Sequence, residues 1–216
     1  MTEKSLWEKA YSEVSLLWGV EPDHVLKAYA GLVPQGPILD LGIGEGRNAL
    51  FFAKMGYEVE GIDISETAVK RCVRRSQEAN LKVQASVGDL RELDIPQARY
   101  SLIIAAWVLN FLRKGEADKM MAKIRDGLKR DGIVYVAVFS TDDPGFTWAK
   151  EKLELVEENT FYSRKMRTYR HYFIKDEILL PFADFRLLYH ADGTELDLDH
   201  GEPHYHGFII YCGQRR

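Results

Sequence analysis

Three of the chain's six histidines fall within seven residues of one another, in the stretch HGEPHYH near the carboxyl end. Imidazoles at this density are suited to three tasks: binding a metal ion, exchanging protons with a substrate, or satisfying the hydrogen bonds of a turn. Pro203 excludes a helix in which His200 and His204 would lie one turn apart. In an extended strand, His204 and His206 share one face. The position of this segment in the fold must decide among the three.

Composition excludes several classes of protein. The 216 residues, 46% hydrophobic and 29% charged, are typical of a globular protein with its own core. A net charge of −4 argues against broad nucleic-acid binding, which needs a basic surface. Cys72 and Cys212 lack the spacing of a zinc site or a disulfide framework, so a reducing cytoplasm is predicted. No signal peptide or run of about 18 apolar residues is present, so no membrane partner is predicted, and the oligomeric state stays open.

Short apolar runs alternate with amphipathic segments, which is typical of a doubly wound α/β sheet with helices on both faces. The predicted strands are 38–41, 58–64, 82–87, 101–106, 133–139, 185–190 and 208–212. The predicted helices span 6–18, 23–32, 47–55, a segment capped by Ser65, 114–128 and 176–182. Asp192-Gly193 is predicted as a hairpin turn between the last two strands.

Two segments fall outside this alternation. Residues 1–33 form amphipathic helices that cap the domain, and residues 141–174 are rich in charged and aromatic side chains. Bases interleaved with aromatics, as in FYSRKMRTYRHYFIK, are also found at nucleic-acid surfaces. The acidic run beside them favours a solvated lid over the sheet. We therefore predict a single domain over residues 1–216, with a lid excursion at 141–174.

The turn after the first strand has the composition of a ligand-binding loop. Its acid and glycines are Asp40, Gly42, Gly44 and Gly46, and the second strand ends at Asp63. Glycines let the backbone turn sharply and approach a ligand, and the amino terminus of the following helix offers unpaired N–H groups. An acid at the tip of the second strand can accept both hydroxyls of a ribose. The dinucleotide fingerprint would place its third glycine where Arg47 stands.

This pattern resembles motif I of class I S-adenosylmethionine-dependent methyltransferases. Gly88-Asp89-Leu90 is similar to the family element whose acid receives the adenine amino group. YSLIIAAWVLNFL is similar to the family's fourth strand and the helix start after it, with Ser101 in place of the usual aspartate and Asn110 where histidine is frequent. The segment WGVEP and the tail resemble small bacterial and archaeal tellurite-resistance methyltransferases.

The resemblance implies a seven-stranded, mostly parallel sheet with an antiparallel last strand. It also implies S-adenosylmethionine as cofactor and S-adenosylhomocysteine as product. The implied cofactor-binding residues are Asp40, Gly42, Gly44, Gly46, Asp63, Ile64, Asp89, Leu90, Ala105, Tyr11 and Trp18. For the two aromatics, which would close over the cofactor, packing in the core is the favoured alternative because large apolar side chains are usually buried.

In that topology the connection between the last two strands lies at the carboxyl edge of the sheet, where the methyl acceptor binds. His204 and His206 are therefore the predicted catalytic residues, as base, hydrogen-bond donor or anion contact. Two alternatives stay open: polar residues of a turn, and a metal site that includes Glu202 or a third histidine. The predicted substrate residues are Trp107, Tyr169, Arg170 and Tyr172.

The predicted function is methyl transfer to a small molecule, with the acceptor atom left open among thiol, chalcogen oxyanion, amine and hydroxyl. In-line displacement requires the protein to hold the nucleophile in line and exclude water. A base is needed only where the acceptor carries a proton. The alternatives are an RNA or protein methyltransferase and a non-catalytic cofactor-binding protein.

Overall fold

The computed structural model describes residues 2–197 and 203–216. His200 and Glu202, which the sequence offers as metal ligands, lie outside the described residues. The main sheet has the strand order β3-β2-β1-β4-β5-β10-β9. Its strands are β1 (Ile38–Leu41), β2 (Val59–Asp63), β3 (Val83–Val87), β4 (Tyr100–Ala106), β5 (Leu128–Phe139), β9 (Arg186–Asp197) and β10 (His204–Gln214).

The pairing of these strands confirms the predicted fold class. β1 lies between β2 and β4 with parallel pairing, Ile38 opposite Val59 on one side and Leu102 on the other. β10 runs antiparallel to both β5 and β9, so it is the single reversed strand among the seven of this sheet. β4 is buried along nearly its whole length because helices cover both faces.

The helices are α1 (Glu3–Glu13), α2 (His24–Tyr29), α3 (Arg47–Lys54), α4 (Glu66–Glu78), α5 (Lys114–Gly127), α6 (Pro144–Lys152) and α7 (Lys175–Leu179). Ser65 caps α4 as predicted, and its hydroxyl accepts from the amide of Ala68. α1 is shorter than predicted: it ends at Glu13, and the chain continues without helix through Trp18. Among the described residues, no helix is both long and apolar enough to cross a membrane.

The predicted hairpin turn at Asp192-Gly193 is wrong. Both residues lie inside β9, where they pair with Ile209 and Phe208 of β10. β9 continues to Asp197, because the residues after Gly193 extend the antiparallel ladder and pair with β10 as far as His204. The longer ladder carries the first residues of β10 beyond the end of β5.

The segment between β5 and α7 is a small layer with its own packing. After α6 come three antiparallel strands, β6 (Glu154–Glu157), β7 (Thr160–Ser163) and β8 (Thr168–His171). Ala149, Phe161 and Tyr172 form its buried cluster. This layer occupies the stretch predicted as a lid.

Asn110 fastens this layer to the sheet. The side chain is fully buried, and its amide nitrogen donates to the carbonyls of His171 at 2.8 Å and Phe139 at 3.2 Å. Its amide oxygen accepts from the backbone N–H of Phe139 at 3.1 Å. A histidine, frequent in the resembling family here, could not make this paired contact with the N–H and the carbonyl of one residue. The departure at Asn110 therefore has a structural explanation.

Replacing this amide tests the attachment. Asn110→Ala removes the partner of the His171 carbonyl and of the Phe139 N–H, while the Phe139 carbonyl still accepts from the N–H of Phe173, and each unsatisfied buried group costs about 1–3 kcal/mol. We expect the free energy of unfolding to fall by about 2–4 kcal/mol, measured by urea denaturation. Gln77→Ala, an exposed change on α4, is the control and should stay within about 0.5 kcal/mol of the wild type. An equal loss in both variants would contradict the role given to Asn110.

Candidate active site

The glycine-rich turn lies at the carboxyl edge of the parallel strands, directly after β1. Gly42, Gly44 and Gly46 all have positive φ, at 71°, 54° and 84°, a region that residues with a Cβ atom rarely adopt. At Gly44 a Cβ atom would also lie 2.8 Å from the hydroxyl of Tyr11. The turn is thus open to close approach by a ligand, and the amino terminus of α3 follows it.

Asp40, at the base of this turn, is a buried carboxyl. Burial raises its pKa from 3.8 to about 7, with Arg47 opposing the shift and Asp63 adding to it. Because this pKa is raised on folding, ionised Asp40 opposes folding increasingly as the pH rises from about 4 to 7. Asp40 lies at the edge of the sheet where ligands bind. A ligand that placed a positive charge beside the carboxylate would offset this cost.

Asp63 fixes the shape of the turn. Its carboxylate, at the tip of β2, accepts from the N–H of Gly44 at 2.9 Å and from the N–H of Ser65 at 2.9 Å. These two contacts hold the glycine turn and the start of α4 in one arrangement. Burial raises the pKa of Asp63, and the backbone donors oppose the shift.

The remaining cofactor-side residues surround the same edge. Ala105 and Leu90 are buried, and Ile64 is half-buried. The carboxylate of Asp89 accepts two N–H groups of the Arg91 side chain at 2.7–3.0 Å, and Arg91 also donates to Glu3 of α1. The predicted adenine contact of Asp89 would therefore share this carboxylate with Arg91.

The amino-terminal segment covers the turn. Tyr11 is buried, and its hydroxyl accepts from the indole N–H of Trp18 at 3.3 Å. Trp18 keeps 37% of its surface exposed, so the core-packing alternative suits Tyr11 but not Trp18. In the middle of α1, the carboxylate of Glu8 accepts from the hydroxyl of Ser65 at 2.8 Å and from that of Thr67.

Glu45 is a site residue that the sequence reasoning missed. Glu45 stands between the last two glycines of the turn in sequence, and it is 4% exposed. It accepts from the N–H of Leu17 at 2.7 Å and from Arg71 at 2.9 Å, while Arg71 also donates to the carbonyl of Val14. We call Glu45 and Arg71 the latch, because they tie the segment after α1 to the glycine turn. An acid at this position was visible in the sequence, but its distant partners were not.

A second concave region lies on the other side of the same edge. It is a cavity of about 540 Å³ between α6, β7, β8 and the start of β10. Its lining includes Asp143, Trp148, Arg170, Tyr172, His204 and His206. Four of the predicted acceptor-side residues are therefore brought together. Tyr169 points to the opposite face of β8, where its ring contacts Tyr162 and the guanidinium of Arg113.

Aromatic rings connect the cavity to the rest of the edge. The guanidinium of Arg170 lies 5.1 Å from the ring centroid of Phe111 and 5.7 Å from that of Phe139. Phe139 also contacts Trp107 and His206, with ring centroids 5.2 and 4.8 Å apart. Trp107 thus stands behind Phe139 at the rim and has positive φ, 59°. No carboxylate of residues 2–197 or 203–216 forms an ion pair with Arg170.

The histidine pair is held by Asp143, a second residue that the sequence reasoning missed. One carboxylate oxygen of Asp143 lies 2.9 Å from Nδ1 of His206 and accepts from the N–H of Gly207 at 3.0 Å. Its other oxygen caps α6 at Gly145. Since Nδ1 of a neutral His206 donates to this carboxylate, Nε2 carries the lone pair, and it lies 2.9 Å from Nε2 of His204. In the sequence, Asp143-Pro144 is typical of the start of a helix, and nothing there indicates the contact of Asp143 with His206.

Comparison with known proteins agrees with this geometry. Residues 38–132 match the family model of the methyltransferase domain. This part of the chain is similar to methyltransferase domains. TehB of Haemophilus influenzae, a probable S-adenosyl-L-methionine-dependent methyltransferase, is 27% identical over 132 residues, which are 58% of this chain and 46% of TehB. The carboxy-S-adenosyl-L-methionine synthase of Nautilia profundicola is 33% identical over 104 residues, 47% of this chain and 44% of that protein. The matched part of the chain thus spans less than half the length of these curated relatives.

Solved structures share the fold. The TehB crystal structure from Haemophilus influenzae has a TM-score of 0.72 at 16% identity, over 99% of this chain and 67% of that one. The 1,6-didemethyltoxoflavin-N1-methyltransferase of Burkholderia thailandensis, which holds S-adenosylhomocysteine, has a TM-score of 0.70 at 18% identity, over 98% and 86%. The glycine turn and the buried Asp40 fit a ligand that carries an amino group and a sulfonium, as S-adenosylmethionine does.

The latch gives a prediction about cofactor binding. Glu45→Gln removes the charge from two hydrogen bonds that hold the amino-terminal segment, and a charge-assisted bond is worth about 1.5–3 kcal/mol. We expect the Kd for S-adenosylmethionine to rise about tenfold or more, measured by calorimetry, because the segment closes over the cofactor less often.

The matched control is Glu78→Gln, which breaks an exposed pair with Arg74 on α4. It should leave the Kd within about twofold of the wild type, since exposed pairs contribute little. Equal Kd values for Glu45→Gln and the wild type would contradict the latch.

Proposed function

We propose that this protein transfers the methyl group of S-adenosylmethionine to a small-molecule acceptor that binds in the cavity between α6, β8 and β10. The observation that carries the proposal is the position of this cavity. It lies at the same sheet edge as the glycine turn, and Arg170, Tyr172, His204 and His206 line it. When bound, the cofactor supplies a methyl group activated by a sulfonium, which an acceptor in line with it displaces.

On the cofactor side, the proposal assigns each residue a binding task. The turn from Gly42 to Gly46 holds the methionine part, and Asp40 faces its amino group directly or through water. Asp63, already fixed by two backbone donors, keeps lone pairs for the ribose hydroxyls. Asp89 and Leu90 border the adenine, together with Ile64 and Ala105. Tyr11 and Trp18 close the site and exclude water.

On the acceptor side, charge favours an anionic or strongly polar molecule. Arg170 stacks between two aromatic rings and has no ionic partner among the described residues, so its charge is available to the cavity. His206 and His204 are the proposed catalytic residues, touching the acceptor through their ring nitrogens. With Nδ1 held by Asp143, Nε2 of His206 accepts a hydrogen bond from the acceptor, or its proton where it carries one. Trp107, behind Phe139, is proposed as a wall of the site.

Two alternatives have less support. A polymer substrate fits poorly with a net charge of −4 and a cavity of about 540 Å³, which is the size of a small-molecule site. Loss of catalysis was suggested by Ser101 and Asn110, but both have structural tasks. Asn110 ties β5 to β8, and the hydroxyl of Ser101 donates to the carbonyls of Gly36 and Pro37 at the far end of β4.

A cytoplasmic location belongs to the proposal and rests on the cysteines. Cys72 and Cys212 are both buried free thiols. Burial raises the pKa of each to about 12, so both stay protonated and unreactive. This state suits a reducing compartment.

Asp40 gives a pH prediction. Its pKa of about 7 in the cofactor-free protein falls when a cation binds beside it, so binding releases a proton below that pH. We expect the affinity for S-adenosylmethionine to rise about tenfold between pH 6 and 8 and then to level off, as measured by calorimetry.

Asp40→Asn is the matched variant, since it keeps the shape and removes the charge. It should bind the cofactor more weakly at pH 8 and show little pH dependence. It should also raise the melting temperature of the cofactor-free protein at pH 8, because ionised Asp40 no longer opposes folding. A pH dependence that survives in Asp40→Asn would assign it to another group.

The proposed function is tested by measuring cofactor turnover against acceptors that differ in atom and charge: thiols, chalcogen oxyanions, amines and phenols. His204→Gln and His206→Gln should lower kcat with at least one acceptor by about 100-fold while leaving the Kd for S-adenosylmethionine unchanged. Arg170→Gln should raise KM for anionic acceptors more than for neutral ones. No cofactor binding at millimolar concentration, or histidine variants with full turnover, would overturn the assignment.

A further inference from the structure

The two ladder strands that extend past β5 carry three potential metal ligands on one face. Asp197 of β9 pairs directly with His204 of β10. His206 lies two residues further along β10, so its side chain falls on the same face as that of His204. Residues paired across an antiparallel ladder have Cβ atoms about 4.5–5.5 Å apart. The strand register therefore brings together one carboxylate and two imidazoles from residues near the end of one strand and the start of the next.

The donor atoms converge. Nε2 of His204 and Nε2 of His206 lie 2.9 Å apart, and Nε2 of His206 lies 3.7 Å from a carboxylate oxygen of Asp197. One ligand atom from each residue falls within 4.8 Å of the others. Around a tetrahedral zinc ion with bonds near 2.0–2.1 Å, ligand atoms are about 3.3 Å apart. The two spacings of 2.9 and 3.7 Å lie on either side of that value.

Asp143 supplies the outer support that metal-binding histidines usually have. Its carboxylate holds Nδ1 of His206 at 2.9 Å and so directs the Nε2 lone pair towards the other two ligands. Asp143 is itself fixed by the N–H groups of Gly207 and Gly145 and is 7% exposed. At Gly207 any Cβ atom would lie 2.0 Å from the backbone nitrogen of Asp143, so only glycine permits this contact.

We propose that Asp197, His204 and His206 form a binding site for a divalent transition-metal ion of the zinc class. Two imidazoles and one carboxylate suit Zn²⁺ better than Mg²⁺ or Ca²⁺, which prefer oxygen ligands. Three protein ligands with a further position for water or substrate is the arrangement of catalytic zinc sites. Because His204 and His206 also line the cavity, a molecule bound there can reach that further position.

The metal takes the place of a proton in the histidine pair. Without metal, one hydrogen lies between the two Nε2 atoms, which are 2.9 Å apart. With metal, both Nε2 atoms bind the ion, and neutral His204 carries its proton on Nδ1 instead. Each imidazole keeps one proton, and no oxidation or reduction is involved. The contact of His204 and His206 with the acceptor, proposed above, is then made through the ion.

The test is calorimetric titration of Zn²⁺ into chelator-treated protein without a histidine tag, with neither cofactor nor acceptor present. We expect one ion per chain with a Kd in the micromolar range or below. Asp197→Asn and His204→Gln should each weaken binding at least tenfold, and Asp143→Asn should weaken it through loss of orientation. Co²⁺ in place of Zn²⁺ should give the visible absorption of a tetrahedral complex in the wild type and not in His204→Gln.

Two controls match the variants in residue type. Asp192→Asn removes a carboxylate elsewhere on β9, and His24→Gln removes a histidine whose side chain is 74% exposed. Both should bind Zn²⁺ as the wild type does. Wild-type binding no tighter than that of Asp197→Asn, or equal losses in the controls, would overturn the site. Because metal binding is measured alone, its failure would leave the proposed methyl transfer to stand on the turnover experiment.

Discussion

The antiparallel position of β10 between β5 and β9 is the constraint on which the acceptor side depends. Phe208 pairs with Phe139, the last residue of β5, so the residues of β10 before Phe208 project past the parallel sheet. They remain paired with β9 as far as His204 opposite Asp197. The first turn of α6 packs against it through Asp143. The cavity, the histidine pair and the position of Asp197 beside it all follow from this extension of the ladder past β5.

On the cofactor side, the burial of Asp40 lowers the stability of the folded protein. Three residues of the turn hold positive φ, and a buried carboxyl is kept at a pKa of about 7. Neighbouring contacts hold this arrangement: Asp63 accepts from the turn, and Glu45 joins it to the segment after α1. The amino-terminal segment is thus tied to the glycine turn through backbone contacts, not only through its aromatic side chains.

Much of the fold was predictable, because hydrophobic period and turn chemistry are local. The order of strands and helices from β1 to β5 follows from apolar runs separated by helical segments, and Ser65 is a helix cap in both sequence and structure. The predicted turn at Asp192-Gly193 was wrong because these two residues pair with β10, and the sequence around them does not show that pairing. The expectation that Trp18 packs in the core was wrong, because the helix that would have buried it ends at Glu13.

The sequence by itself indicated the fold and the kind of ligand site, since an acid, alternating glycines and a distal acid lie on adjacent segments of one β–loop–α–β unit. It also determined that His204 and His206 share a face, because alternation in a strand is a local property. Only the tertiary structure decided what those histidines meet. Asp143 lies 63 residues from His206, and Arg71 lies 26 residues from Glu45. Such contacts are set by strand register and helix docking over the whole sheet, and no local pattern encodes them.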